Sequence, residues 1–538
     1  MDDQPTSDTR IAKLKEIRGR KDLKLRATKH LKTTFTDFAG KERPLTIRYY
    51  QVQGILHLRI MKRFLLGDDT GLGKTLQSIA ALCYIWETEP DRKAIIMTTK
   101  SATRQWVDEF TKFTIGVKVI ICKGNPLQRK AARKMFLDAD GPTVMVMGYR
   151  SAVGDFTEMQ AWKDFILITD EATAYKNSKT QVHQVCRHMG EQADRVWALT
   201  ATMIKNHLME GFGIYQVIIP GLFGMTEKQF MLYYALTQKQ PIGGGRYIDV
   251  IVGYLPMKIR EFRQMIDPYF LGRPKHEVAV ELPTLTSRTM EVELTDDQET
   301  KYEEALEGLL EMVKDGATTV QEVTKLTAIS YCQEIIGHLG MIGIEDSESP
   351  KIDALIEMVK EGDFSEDKVI VFSRFEKMVS FVMQRLSKEK IPAVRVTGKE
   401  NEDQRRAAMK SFQDPNSSTR VICITTAGSE AINLQAAKAL ICMDTPWSAG
   451  DFLQLLGRMI RIGSEHDKCY VVHMTARRSG NKKETIDHRI MEVLGKKMNL
   501  IEAVLGKRIK GEGEEAAIQV ENDISDLFSS LRNDAKED

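Results

Sequence analysis

Residues 67–75 read Gly-Asp-Asp-Thr-Gly-Leu-Gly-Lys-Thr, and this stretch constrains the fold more than any other. The apolar run 64–66 precedes it, and the helix-like segment 76–82 follows it. A buried strand, a glycine-rich turn and a helix, in that order, form a phosphate-binding loop, in which backbone N–H groups and a helix N-terminus face a polyphosphate. The strict motif requires glycine at position 68, where this chain has Asp68, so the stretch alone leaves the assignment open.

The residue types of this loop indicate binding of ATP together with Mg²⁺. The Lys74 side chain can reach the β- and γ-phosphates, and the Thr75 hydroxyl can bind Mg²⁺. Upstream of the loop, the Gln51 amide offers one donor and one acceptor, which suits the edge of adenine. The predicted ATP-binding residues in this part of the chain are Arg48, Gln51, Asp69, Thr70, Gly71, Leu72, Gly73, Lys74 and Thr75.

An acidic pair follows the apolar run 165–168. Asp170 can hold Mg²⁺, directly or through water, and Glu171 can orient and polarise an attacking water molecule. Taken alone, the pair could equally be a charged loop after a strand. The phosphate-binding loop upstream on the same predicted sheet favours a catalytic role.

Apolar runs alternate with amphipathic segments in two blocks of the chain. This alternation predicts βαβ units, and hence an α/β fold with parallel sheets that are covered on both faces. Ligands of such sheets bind beyond the carboxyl ends of the strands. The predicted strands are 94–97, 117–121, 143–147, 165–168 and 195–199 in the first block, and 368–372, 393–396, 420–424, 439–443 and 469–473 in the second. Between them, residues 205–266 are predicted to be a helical insertion, and residues 295–345 are predicted to be helical.

The second block has no phosphate-binding loop, but it contains two arginines whose spacing matches one face of a helix. Arg458 and Arg461 are three residues apart, so on a helix they share one face. Two guanidinium groups on one face could stabilise charge on a transferring γ-phosphate from across a cleft. The alternative is a surface helix with scattered arginines, and the neighbouring Gln454 and Gly457 argue against it.

The net charge is only +2 over 538 residues, but the charge is unevenly distributed. Residues 9–32 contain ten lysines and arginines against two acidic residues, whereas the stretch after Lys510 is acidic. The basic arm is either a nucleic-acid-binding segment or a solvated, partly helical extension. No apolar run is long enough to span a membrane, no signal peptide is apparent, and the seven cysteines are widely spaced. We therefore expect an intracellular protein, in the cytoplasm or nucleoid rather than the nucleus, without a membrane partner.

These segments, taken in order, resemble the superfamily-two helicase-like ATPases, and among them the Swi/Snf family of double-stranded DNA translocases. Residues 68–75 are similar to the family's Asp-Glu-Met-Gly-Leu-Gly-Lys-Thr, which accounts for Asp68. The likeness extends over about residues 44–506. Its other parts are Gln51, residues 98–110, 170–173, 199–202, 372–375, 425–434, 444–447 and 454–463, the lobe-linking segment 270–275, and the brace helix 483–506.

The resemblance implies two RecA-like parallel-sheet lobes with helical protrusions and flexible charged termini. ATP would lie between the lobes, whose closure assembles the site. The implied organisation is a basic N-terminal arm (1–43), an ATP-binding lobe 1 (44–280, with the insertion at about 205–266), a linker and helical protrusion (281–348), lobe 2 with the brace helix (349–510), and an acidic tail (511–538).

The activity that the resemblance implies is ATP-driven tracking along duplex DNA by a monomer that uses ATP and Mg²⁺. The catalytic residues would be Lys74, Asp170, Glu171, Arg458 and Arg461, with Gln454 contacting ATP, and Thr75 and Asp170 holding the metal. The predicted DNA-binding residues are Lys100, Ser101, Arg104, Tyr149, Arg150, Ser373, Arg374, Thr425 and Thr426. Two alternatives stay open: a partner-activated ATPase that remodels RNA polymerase or another protein, and a helicase that separates or anneals strands.

The chain departs from the family pattern at several positions. Thr173 stands where the family usually has His, Met203 replaces Pro, and Ser464 replaces Gln. Residues 429–431 also lack the usual Gly-x-Gly run. None of these changes removes a phosphate-binding, metal-binding or arginine-finger group, so ATPase activity is expected. They affect the segments that usually couple hydrolysis to DNA contact.

Overall fold

The computed structural model describes residues 7–36, 41–201, 203–204, 207–243, 246–278, 283–314, 322–344, 347–426, 434–446, 448–460, 464, 466–479, 484–505 and 518–519. By contacts between Cα atoms, the chain divides into two compact units. Unit 1 comprises Met1–Tyr234 and Met257–Val280, and unit 2 comprises Ala235–Pro256 and Glu281–Asp538. Each unit contains one parallel sheet with helices around it.

The helices and strands are as follows in chain order. The helices are α1 (Ser7–Gly19), α2 (Tyr49–Ile60), α3 (Lys74–Trp86), α4 (Ala102–Phe113), α5 (Pro126–Asp138), α6 (Tyr149–Gly154), α7 (Phe156–Met159), α8 (Gln181–Gln192), α9 (Leu208–Ile218), α10 (Glu227–Tyr234), α11 (Pro256–Ile266), α12 (Lys275–Val278), α13 (Asp296–Lys314), α14 (Glu322–Gly337), α15 (Pro350–Lys360), α16 (Glu376–Lys388), α17 (Glu402–Gln413), α18 (Ala449–Met459) and α19 (Ile486–Leu505). The strands are β1 (Thr34–Thr36), β2 (Glu42–Pro44), β3 (Arg63–Leu66), β4 (Ala94–Thr98), β5 (Lys118–Cys122), β6 (Thr143–Gly148), β7 (Ile166–Asp170), β8 (Arg195–Leu199), β9 (Ala235–Gly243), β10 (Arg246–Tyr254), β11 (Phe270–Leu271), β12 (Thr284–Glu293), β13 (Val369–Phe372), β14 (Ala393–Val396), β15 (Val421–Ile424), β16 (Ala439–Cys442), β17 (Lys468–Arg477) and β18 (Ile518–Gln519).

The sheet of unit 1 has seven strands in the order β11-β3-β8-β7-β4-β6-β5, and every pairing in it is parallel. Its central strands are apolar and buried along their length, as in β4, because helices cover both faces. Parallel pairing brings all the carboxyl ends to one edge. The predicted phosphate-binding loop follows β3 and the predicted acidic pair follows β7, with β8 between them.

The sheet of unit 2 has six strands in the order β12-β17-β16-β13-β15-β14, again all parallel. The strands β13, β15 and β16 are wholly buried. The predicted α/β fold with two parallel-sheet lobes is therefore confirmed.

One strand of this second sheet lies in the segment that the sequence predicts to be a linker. Strand β12 pairs along its full length with β17, from Thr284 beside Lys468 to Glu293 beside Arg477. The sequence gives little sign of this because most of the β12 side chains are exposed, so no apolar run marks the strand. Residues 284–293 thus belong to the sheet of unit 2, and the prediction of a linker is wrong for them.

The predicted helical insertion at residues 205–266 is also only partly helical. Helices α9, α10 and α11 lie there, but β9 and β10 form an antiparallel hairpin between them. Strand β9 ends at Gly243 and β10 begins at Arg246, and β10 is rich in β-branched and aromatic residues, which favour strands. The helical prediction is therefore wrong for residues 235–243 and 246–254.

The described part of the basic N-terminal arm is packed within unit 1. Leu14 and Ile17, three residues apart on one face of α1, are only 2% and 6% exposed. Farther along, Thr28 and His30 are buried as well. A solvated extension is therefore the wrong description of residues 7–36. Of the predicted acidic tail 511–538, all but Ile518–Gln519 lies outside the described residues. Among the described helices, none combines the length and the apolar character needed to cross a membrane.

Candidate active site

The predicted phosphate-binding loop lies at the carboxyl edge of the unit 1 sheet, directly after β3. Gly71 and Gly73 have φ angles of 84° and 79°, a left-handed conformation that glycine adopts without strain. Helix α3 begins at Lys74, immediately after the second of these glycines. The turn and the first turn of α3 therefore offer backbone N–H groups, and the positive end of the helix, to an anionic ligand.

Lys74 lies among carboxylates. Its ammonium donates to the carbonyl oxygens of Asp68 and Asp69, at distances of 2.7 and 3.4 Å from Nζ. Burial lowers the pKa of Lys74, while four nearby carboxylates oppose that shift. They belong to Glu171, Asp68, Asp69 and Asp170. The structure thus brings the predicted lysine and the predicted acidic pair together.

Two side chains fix the Asp170 carboxylate. Its Oδ2 accepts hydrogen bonds from the indole Nε1–H of Trp106, at 2.7 Å, and from the hydroxyl of Thr98, at 3.2 Å. Its Oδ1 accepts from the backbone N–H of Glu171 at 3.1 Å. Sequence reasoning missed Trp106 and Thr98 as positioning residues, because they lie 64 and 72 positions away in the chain. Helix α4 and strand β4 bring them to the end of β7.

Glu171 has a φ of 56°, an uncommon backbone conformation for a residue other than glycine. The Tyr149 hydroxyl donates to the preceding backbone carbonyl, that of Asp170, at 2.7 Å. Backbone strain of this kind costs about 1–3 kcal/mol and is found most often at functional sites. The strain at Glu171 is consistent with its predicted role beside the metal-binding residue.

Gln51 packs against the phosphate-binding loop from α2. Its Oε1 accepts from the backbone N–H of Arg48 at 2.9 Å, and its Nε2 donates to the carbonyl of Leu72 at 3.2 Å. A Cβ atom at Gly73 would lie only 2.6 Å from Gln51 Nε2. The positive φ angle of Gly73 favours glycine there, and a side chain at this position would also displace the Gln51 amide. The adenine-reading role of Gln51 stays a prediction.

Asp68, which departs from the strict loop motif, occupies a buried and fully engaged position. Its Oδ1 accepts from Arg273 Nε at 2.8 Å, and its Oδ2 accepts from Gln77 Nε2 at 3.0 Å. The loop backbone is also bonded to the chain beside it, through Gly67 N to the carbonyl of Leu271 at 2.7 Å. The carboxylate at position 68 therefore ties the loop to α3 and to the segment that contains β11.

These residues fit a nucleoside triphosphate with Mg²⁺. The glycine-rich turn, with its left-handed Gly71 and Gly73, and the Lys74 ammonium offer donors for phosphate oxygens. Thr75, in the first turn of α3, and Asp170, at the end of β7, offer the hydroxyl and carboxylate oxygens that Mg²⁺ prefers. Both metal-binding assignments stay predictions.

The predicted phosphate-contacting residues of unit 2 lie at helix α18. Gln454 and Arg458 are four residues apart and therefore share one face of this helix. The carbonyl of Arg458 accepts from the backbone N–H of Leu434 at 3.0 Å. Arg461 lies outside the described residues, as do Thr202 and residues 427–433 of the family-like segments.

The predicted DNA-binding residues divide into exposed and buried sets. Exposed side chains follow two paired strands of unit 1, with Lys100 just after β4 and Arg150 just after β6. Ser101 is half-buried beside them. The exposed members of the predicted set are Lys100, Arg104, Arg150 and Thr426. Their DNA contacts stay predictions, and for Arg104 such a contact would compete with its pairing to Asp108 at 3.2 Å.

Three residues of the predicted DNA-binding set, Tyr149, Ser373 and Thr425, have buried side chains. The Tyr149 side chain is 6% exposed and holds the Asp170 carbonyl, and Thr425 is 5% exposed. Ser373 is fully buried and donates to the carboxylate of Asp444. These three side chains have little exposed surface, and contacts of Tyr149, Ser373 and Thr425 with DNA stay predictions.

Arg374 is held in a similar way within unit 2. Its backbone N–H donates to Asp444 Oδ1 at 2.9 Å, and its Nη1 donates to Gln333 Oε1 at 2.6 Å. Burial lowers the pKa of the Arg374 guanidinium and raises the pKa of the Asp444 carboxyl. Arg374 thus links β13 to α14, and its predicted DNA contact would compete with the bond to Gln333.

Two family models match the chain. A model described as SNF2-related domain matches residues 50–341, and one described as helicase conserved C-terminal domain matches residues 350–463. The first model alone covers more than half of the chain. The two matches meet near the start of α15.

Curated relatives share about a quarter of their residues with the chain. The "Uncharacterized ATP-dependent helicase MG018" of Mycoplasma genitalium is 24% identical over 466 residues, which cover 85% of this chain and 42% of the relative. The "ISWI chromatin-remodeling complex ATPase ISW2" of Saccharomyces cerevisiae is 25% identical over 513 residues, which cover 91% of this chain and 43% of the relative. The chain therefore spans less than half the length of these two relatives.

Among solved structures, the "Sulfolobus solfataricus SWI2/SNF2 ATPase core in complex with dsDNA" aligns with a TM-score of 0.41 and 24% identity. The alignment covers 86% of this chain and 94% of that one. The family assignment itself rests on the sequence models. The chain belongs to the SNF2-related family of ATP-dependent, helicase-like proteins.

Proposed function

We propose that this chain is an ATP-driven motor that tracks along double-stranded DNA and remodels DNA or the proteins bound to it. The observation that carries the proposal is the placement of Lys74 and the Asp170–Glu171 pair at one edge of the unit 1 sheet, after β3 and at the end of β7, on either side of β8. Membership of the SNF2-related family supports it.

The chemistry follows from the side chains at that edge. Lys74 and the loop N–H groups bind the phosphates, and Glu171 orients the attacking water and accepts its proton. Trp106 and Thr98 hold the Asp170 carboxylate in one orientation, with its Oδ1 on the side of Glu171. When bound by Thr75 and Asp170, Mg²⁺ neutralises charge on the phosphates. Arg458 and Arg461 are proposed to supply further positive charge to the transferring phosphoryl group.

Exposed lysine and arginine side chains beside the same sheet support the proposal that the protein binds a polyanion such as DNA. Lys100, Arg104 and Arg150 follow the adjacent strands β4 and β6 at the carboxyl edge. Contacts of this kind bind the sugar–phosphate backbone without reading the base sequence, and they weaken steeply with salt. That is what tracking along DNA of any sequence requires.

Displacement of a third strand from a DNA triplex tests the proposal. We expect displacement that depends on ATP and on an intact Lys74, together with ATP turnover that rises when duplex DNA is added. Turnover that stays flat with DNA but rises with a protein partner would contradict tracking and favour the partner-activated alternative. Unwinding of a forked duplex without triplex displacement would instead indicate a strand-separating helicase.

A further inference from the structure

Arg273 sits at the centre of a buried hydrogen-bond network in unit 1, and the proposed mechanism assigns it no role. Its side chain donates from Nε to Asp68 at 2.8 Å, and from Nη1 to the carbonyl of Tyr50 at 2.6 Å and to Gln53 Oε1 at 2.9 Å. Asp68 is fully buried and Arg273 is 9% exposed. One guanidinium therefore joins the phosphate-binding loop to helix α2.

Asp68 connects Arg273 to Lys74, because it accepts hydrogen bonds from both side chains. Its carboxylate is held by Arg273 and Gln77, while its carbonyl accepts from Lys74 Nζ at 2.7 Å. The direction in which Lys74 points thus depends on a residue whose side chain is fixed from the far side of the loop. Removal of one partner of such a pair leaves a buried carboxylate uncompensated.

The N-terminal arm holds the same network from outside. Gln53, whose Oε1 receives Arg273, donates from Nε2 to three carbonyls at the end of α1. These belong to Ile17, Arg18 and Arg20, at 3.3, 3.1 and 2.8 Å. The arm thus accepts the hydrogen bonds of the Gln53 amide nitrogen, while Arg273 donates to the amide oxygen.

Arg18 makes a second connection from the arm. Its Nη2 donates to the carbonyl of Phe270 at 2.6 Å, and its Nη1 donates to Asp267 Oδ1 at 2.9 Å. Burial lowers the pKa of His57 to about 4, so the neutral ring can accept from Arg18 Nε at 3.3 Å. Arg18 therefore anchors the chain just before Arg273.

We propose that Arg273 is a positioning residue for nucleotide binding, and that the arm of residues 7–32 fixes it, so that docking of the arm sets the affinity of the loop for nucleotide phosphates. The inference rests on the proposed function, since it assumes that the loop binds a nucleotide. It adds a regulatory element, because a partner that displaces the arm would loosen the loop.

The first test uses the protein without nucleotide. In Arg273→Lys, which keeps the charge but loses the forked geometry, we expect backbone amides of residues 68–77 to exchange hydrogen about tenfold faster. The matched control is Arg133→Lys, since Arg133 is 3% exposed and paired with Asp155 and Glu158 in unit 1, away from the loop. Equal exchange of residues 68–77 in the two variants would overturn the inference.

The second test measures affinity for ADP, with KM and kcat for ATP beside it. We expect Arg273→Lys to weaken ADP binding and raise KM at least about tenfold, with a smaller change in kcat. Arg18→Gln should also weaken ADP binding, although none of the described hydrogen bonds of Arg18 involves the loop. This variant provides the test if Arg273→Lys fails to fold. Arg26→Gln is its control, because Arg26 is an exposed arm residue paired with Glu87.

The outcomes separate the inference from the proposed function. If the wild-type chain binds no ADP and hydrolyses no ATP, the proposed function fails, yet the exchange experiment still reports whether Arg273 orders the loop. If the wild type binds ADP and Arg18→Gln binds it as tightly as Arg26→Gln does, the arm has no part in affinity and that half of the inference is overturned.

Discussion

Each unit contains a lysine among carboxylates near the carboxyl edge of its sheet, and the two are bonded in different ways. In unit 2, the Lys351 ammonium donates to the carbonyl of Met443 at 3.0 Å and pairs with Asp487 at 2.5 Å, with exposed fractions of 1% and 0% for the paired side chains. In unit 1, Lys74 donates to carbonyl oxygens of its own loop.

The difference distinguishes a structural lysine from one that can bind a ligand. Lys351 joins α15 to the end of β16 and to α19, and Asp487 in turn accepts from the backbone N–H of Ala476 at 3.2 Å. Among the described residues, the hydrogen bonds of Lys74 stay within its own loop, although Asp170 and Glu171 are near enough to oppose the fall in its pKa. An ammonium held only within its own turn can transfer its hydrogen bonds to a phosphate without loosening the fold.

The largest expected effect is on stability, in Lys351→Met. We expect the free energy of unfolding of unit 2 to fall by roughly 3–5 kcal/mol, because Asp487 would be left as a buried, unpaired charge. Urea denaturation followed by circular dichroism measures it. KM for ATP of the folded protein should not change.

The double variant Lys351→Met, Asp487→Leu sharpens this prediction. Replacing both charges removes the uncompensated carboxylate, so much of the lost stability should return. If the double variant is as unstable as the single one, the interpretation of Lys351 as half of a structural ion pair is contradicted.

The next effect is on turnover, in Lys74→Ala. We expect ATP hydrolysis to fall by about 10²–10³-fold or more, since one charged donor to the developing phosphate charge is lost. The midpoint of urea denaturation should stay close to that of the wild type. Retained turnover would refute the assignment of the loop, and a loss of stability like that of Lys351→Met would erase the distinction between the two lysines.

A smaller effect is expected in Trp106→Phe, which removes the indole donor to Asp170 and keeps an aromatic ring. A hydrogen bond to a charged group is worth about 1.5–3 kcal/mol, so the Mg²⁺ concentration for half-maximal turnover should rise about tenfold. Trp197→Phe is the control, because Trp197 is equally buried and its Nε1 has no hydrogen-bond partner among the described residues. Equal shifts in the two variants would show that only packing had changed.

The sequence predicted those parts of the fold and site whose signal is local. Buried parallel strands appear as apolar runs, and the glycine-rich loop and Asp170–Glu171 follow such runs directly. The prediction of secondary structure failed for strands that the hydrophobic pattern of the sequence does not mark. Strand β12 is mostly exposed, so no apolar run marks it, and the hairpin of β9 and β10 is predicted to be helical because helices α10 and α11 flank it in the chain.

The missing parts of the site are pairings between distant positions. Arg273 lies 205 positions from Asp68, and no periodicity links them. The same holds for Trp106 and Asp170, which only the order of strands β4 and β7 brings together. In unit 2, Ser373 looked like a phosphate contact because it follows a strand, but a buried carboxylate 71 positions away binds its hydroxyl. Such partners emerge only from the packed sheet.

The smallest expected effect concerns the exposed cations at the carboxyl edge of the unit 1 sheet. Arg104→Gln should lower the slope of log Kd against log salt for duplex DNA by about 0.9, the change for one lost phosphate contact. Arg187→Gln is a close control. Both arginines are about half exposed and pair with an acid four residues on at 3.2 Å, Arg104 with Asp108 and Arg187 with Glu191. Arg104 lies in the first turn of α4, just after β4, whereas Arg187 lies midway along α8, away from the start of that helix. If both variants lower the slope equally, DNA binding depends only on the overall charge of the protein. The proposal that DNA binds at the carboxyl edge of the unit 1 sheet would then be contradicted.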